Sequence, residues 1–62
     1  MYKATKNIKV TFNNDKTIEV TLIAFDNAND NAKTKLERKV MHYALNPTTV
    51  KIVTINEYIE AF

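Results

Sequence analysis

The sequence predicts an α+β domain in the order β-β-α-β, with one helix packed on a three-stranded antiparallel sheet. Three observations predict it. Apolar and polar residues alternate through residues 8–12 and again through 17–25, with Asn13, Asn14 and Asp15 between them. Residues 26–47 carry their apolar side chains at helical spacing instead. β-branched residues then crowd residues 48–56.

Strand one is the alternation Ile8, Val10, Phe12, with Tyr2 and Ala4 extending it backwards. Asn and Asp tolerate left-handed backbone and bond locally to it, so Asn13, Asn14 and Asp15 mark a turn. Strand two sets Ile18, Val20, Leu22 and Ala24 on one face. Directly opposed residues of an antiparallel pair share a face, which favours Phe12 opposite Ile18, Val10 opposite Val20 and Ile8 opposite Leu22. That pairing needs a loop of odd length, most simply Asn14, Asp15 and Lys16.

The helix start is rich in Asp and Asn, and Asp26, Asn29 and Asp30 are its candidate N-caps. Its stop is Asn46–Pro47, because the residue before a proline avoids the α conformation. At about 100° per residue, Ala32, Leu36, Val40, Tyr43 and Ala44 share the face to be buried. Lys35, Arg38, Lys39 and His42 fall on its flank, and Glu37 and Met41 lie behind. Strand three is carried by Val50, Ile52, Val53 and Ile55. The tail, residues 57–62, reads as a frayed end or as a helical turn anchored by Tyr58, Ile59 and Phe62. Strand one is expected at the centre of the sheet.

Composition narrows the chemistry. Residues 1–62 make one small domain, and a chain this short buries only ~60% of the surface its unfolded form exposes. It has no Cys, which excludes disulfides and thiolate metal sites. With one His, no Ser and no Gly, it offers no triad, no multi-histidine metal site and no glycine-rich phosphate loop. No catalytic residue, metal ligand, cofactor or small-molecule substrate is expected. No stretch is apolar enough for a leader or a membrane span, so the expected compartment is the cytoplasm.

Two surfaces remain as candidate sites. The second face of strand two reads Thr17, Glu19, Thr21 and then Ile23 and Phe25, while Val53 and Ile55 point away from Val50 and Ile52. One helix covers one face only. Ile23, Phe25, Val53 and Ile55 are therefore expected to form an apolar patch that meets a host protein or a second copy in a homodimer. A tail folded back over it, or a bulge that shifts the phase, would cover it instead. The second surface is basic: Lys33, Lys35, Arg38, Lys39 and His42 could meet phosphates, although the net charge is only +2 and no aromatic is interleaved to stack a base.

The succession of hairpin, polar helix start after Phe25, Ala-spaced helix, Asn46–Pro47 and β-branched strand resembles small β-β-α-β accessory proteins of bacteriophages and mobile elements. Some of these dock onto a host enzyme such as RNA polymerase or a nuclease and block it. The resemblance is one of pattern and assigns no individual residue. It implies a non-catalytic protein-interaction module in the host cytoplasm. A nucleic-acid binder using the basic flank and a structural homo-oligomer are the alternatives.

Overall fold

The computed structural model describes residues 1–62 as β1 (Tyr2–Phe12), β2 (Thr17–Asp26), α1 (Asn29–Ala44) and β3 (Thr49–Ala61). The helix packs on one face of a single antiparallel sheet in the order β2-β1-β3. The fold is thus the α+β arrangement expected, with strand one central.

The hairpin register differs from the expected one by two residues. Val10 lies opposite Ile18, Ile8 opposite Val20 and Ala4 opposite Ala24. A shift of two keeps every side chain on its own face, so the apolar pattern alone does not separate the two registers. The turn decides. Phe12 N–H donates to the Lys16 carbonyl (2.8 Å), which closes a loop of Asn13, Asn14 and Asp15 with Asp15 left-handed at φ 65°.

Ala32 and Leu36 of α1 are fully buried against Ala4, Ile8, Val10, Leu22 and Ala24, and Val40 and Tyr43 pack at the margin. Complete burial of a side chain such as Leu36 or Ile8 contributes about 1.5–3 kcal/mol. The helix begins without a side-chain cap: Ala28 occupies that position. Asp26 acts one step earlier, its carboxylate accepting from Ala28 N–H at 3.0 Å. The end follows the expected proline stop. Leu45 N–H reaches the Met41 carbonyl (2.8 Å), and Asn46 Oδ1 accepts from Thr48 N–H (3.0 Å) to turn the chain into β3.

Residues 57–62 are neither frayed nor helical. β3 continues through them beside the start of β1, with Tyr58 opposite Thr5 and Phe62 N–H donating to the Met1 carbonyl (2.9 Å). Near its middle β3 gains one residue, since Asn56 opposes Asn7 while Thr54 opposes Ile8. Ile55 and Asn56 therefore both turn to the helix-free side, as in a β-bulge.

One charged residue enters the helix-facing layer. Lys6, 8% exposed, sends its ammonium to Glu37 (3.0 Å) and towards Glu57 (3.8 Å). Glu37 thus does not lie behind the helix, as its position on the wheel suggested. It faces β3, and Lys6 ties helix to edge strand.

Candidate protein-interaction surface

Register sets the helix-free face out in rows. Phe25, Lys3 and Glu60 form one row, then Ile23, Thr5 and Tyr58, then Thr21, Asn7 and Asn56, then Glu19, Lys9 and Val53. The Asn7 row is a closed polar ladder across all three strands. Thr21 Oγ1 donates to Asn7 Oδ1, and Asn7 Nδ2 donates to Asn56 Oδ1, both at 2.5 Å.

On one side of this ladder the face is apolar. Phe25 and Phe62 meet edge to face with ring centroids 6.1 Å apart, an arrangement favoured by the ring quadrupoles. They remain 49% and 72% exposed. Ile23 is half-buried and Tyr58 exposed. Between these two lies Thr5, only 2% exposed although no helix covers it, with no hydrogen-bond partner for its hydroxyl. The cross-strand neighbours alone exclude water from the middle of this end.

All four residues expected to form the patch lie on this face, in two groups. Ile23 and Phe25 join the aromatic end, whereas Val53 and Ile55 stand on β3 at or beyond the ladder, exposed beside polar neighbours. Tyr58 and Phe62 complete the aromatic end and were missed as surface residues. Their signal was present: Tyr58, Glu60 and Phe62 alternate with Glu57, Ile59 and Ala61 at the period of a strand.

No family model, curated protein or solved structure matches this chain.

The cations fall on two sides of the helix. Lys35 bonds the Asp26 carboxylate (2.8 Å) and the Phe25 carbonyl (3.0 Å), and Lys39 bonds the Ile23 carbonyl. Both ammoniums therefore cap the outer edge of β2. Lys33 sits on the other side of the helix, in an open cleft of about 340 Å³ shared with Ala4, Glu57, Tyr58 and Ile59. Arg38 lies beside Lys35, with Asp26, Asn31 and Thr34, on the outer side, and His42 is exposed in the last turn. The same lysine holds the Asp26 carboxyl low: the Lys35 hydrogen bond, followed by that from Ala28 N–H, lowers its pKa from 3.8 to about 2. No group of three or more His, Asp or Glu side chains is placed to hold a metal ion, and no helix is long and apolar enough to cross a membrane.

Proposed function

We propose that this chain is a non-catalytic protein-interaction module, an accessory protein of the phage or mobile-element kind that binds and modulates a host protein through its helix-free sheet face. One observation carries the reading: Phe25, Tyr58 and Phe62 stand exposed together around the water-excluded Thr5. Aromatic residues at the dry centre of a patch, with polar residues at its rim, are the usual anatomy of a protein interface. Lys3, Glu60 and the Asn7 ladder supply that rim here. The acid–base groups support the same reading. The Asp26 carboxyl, drawn well below its usual range, is engaged at the helix start by Lys35 and Ala28 N–H.

Affinity capture from nuclease-treated bacterial lysate tests the reading with three baits: the native chain, Phe25→Lys and Arg38→Glu. The native chain and Arg38→Glu should retain the same protein. Phe25→Lys should bind it about 30-fold more weakly, the scale of a central aromatic anchor, while keeping the native circular dichroism. Binding lost to nuclease or to Arg38→Glu, with Phe25→Lys harmless, would replace a protein partner with nucleic acid.

A further inference from the structure

The two edges of the sheet are finished differently. Peptide groups alternate in direction along a strand, so each edge strand turns every second residue outward. On β2 these are the odd-numbered residues, and Lys35 and Lys39 cap the outward carbonyls of Phe25 and Ile23. On β3, Phe62 N–H and the Thr48 carbonyl point inward to Met1 and Asn13. Counting from both ends, with register shifts at Val50 and at Ile55 and Asn56, leaves Ile52, Thr54, Glu57, Ile59 and Ala61 turned outward. No side chain bonds any of these outward groups. A long bare edge is a template for another strand, and proteins that do not use one cover it as β2 is covered.

We infer that the β3 edge pairs with β3 of a second copy, antiparallel and two-fold, making a six-stranded sheet with both helices on one side. The bulge selects the occupant. It switches the outward residues from even numbers before Ile55 to odd numbers after it, so a copy carrying the same bulge matches them, whereas a regular strand falls out of phase. The register that sets the two bulges opposite each other places Thr54 against the partner's Glu57, Val53 against the partner's Tyr58 and Ile52 against the partner's Ile59. It also places Lys51 against the partner's Glu60. Each pair shares a face, and symmetry repeats each one. Charge selects the same register. Residues 52–56 are uncharged, with Lys51 before them and Glu57 and Glu60 after them. A slip of two residues sets Lys51 against the partner's Tyr58 or the partner's Phe62 and loses the ion pair. The edge borders the aromatic face and shares Tyr58 and Glu60 with it, but the pairing is made by the outward backbone groups of β3, so this inference goes beyond the function proposed above and is tested apart from it.

Sedimentation across a wide concentration range tests it, with circular dichroism confirming that each variant folds. The native chain should dimerise. Lys51→Glu and Glu60→Lys each reverse two cross-strand pairs per dimer, and each alone should raise the dissociation constant about tenfold. An equimolar mixture of the two should recover native affinity, because the mixed dimer pairs Glu with Lys at both positions. Phe25→Lys should leave the dimer intact. A native chain that stays monomeric overturns the inference and leaves the face free for a foreign partner. A dimer indifferent to both charge variants, or dissolved by Phe25→Lys alone, moves the interface to the aromatic face and overturns it equally.

Discussion

At the residue scale, Asp26 shows how one side chain joins two elements. It closes β2, accepts from the first N–H group of the helix approach and holds Lys35 over the strand edge. Its folded pKa lies near 2, below the ordinary 3.8, so over that interval the unfolded chain binds the proton and the folded chain does not. Stability should therefore be fully present above pH 4 and fall as the pH drops through about 2. Acid titration of Asp26→Asn should lack this component, and salt should weaken it in the native chain, because its partner Lys35 is half-exposed. Lys6 is the other telling residue. It sits where an apolar side chain would ordinarily face the helix, and its two glutamate partners account for it.

At the element scale, the hairpin turn holds the clearest local strain. Asp15 is left-handed, a conformation that costs a non-glycine residue roughly 1 kcal/mol. Asp15→Gly should raise the midpoint of thermal unfolding by a few degrees with the fold unchanged. Asp15→Val should lower it. The elements themselves were legible in the sequence because alternation, helical spacing and Pro47 all act locally. Their relations were less so. Hairpin register is ambiguous by two residues to any argument from faces, and only the turn geometry at Asp15 resolves it. The tail was misread because Tyr58, Ile59 and Phe62 fit one helical turn as well as they fit a strand. What extends β3 is pairing with the start of β1, a long-range partner that local spacing does not reveal. The bonding of the basic flank was hidden for a similar reason. A helical wheel places Lys35 and Lys39 on one side, and the open carbonyls of β2 then engage both.

At the scale of the whole molecule, the Cα trace measures 40 × 18 × 10 Å, a plate barely thicker than one helix-to-sheet separation. One face is covered by α1 and the other meets solvent. That division was legible from the sequence, since one helix cannot cover two faces, and it placed Ile23 and Phe25 correctly. The plate also explains why so few residues are fully buried in a chain carrying 45% hydrophobic residues. Much of the apolar surface that remains lies on β3 and at the aromatic end of the open face, with Met41 and Leu45 exposed on the helix and just past its end and Ile18 on β2.

Oxidative footprinting of the chain, free and bound to its captured partner, tests the central claim most directly. Tyr58, Phe25 and Phe62 report the open face, and Met41, 53% exposed on the helix, reports the opposite side. Strong protection of the three aromatic residues is expected, with Met41 equally reactive in both states. Protection of Met41 with the aromatic residues unchanged would contradict it and place the partner on the helix.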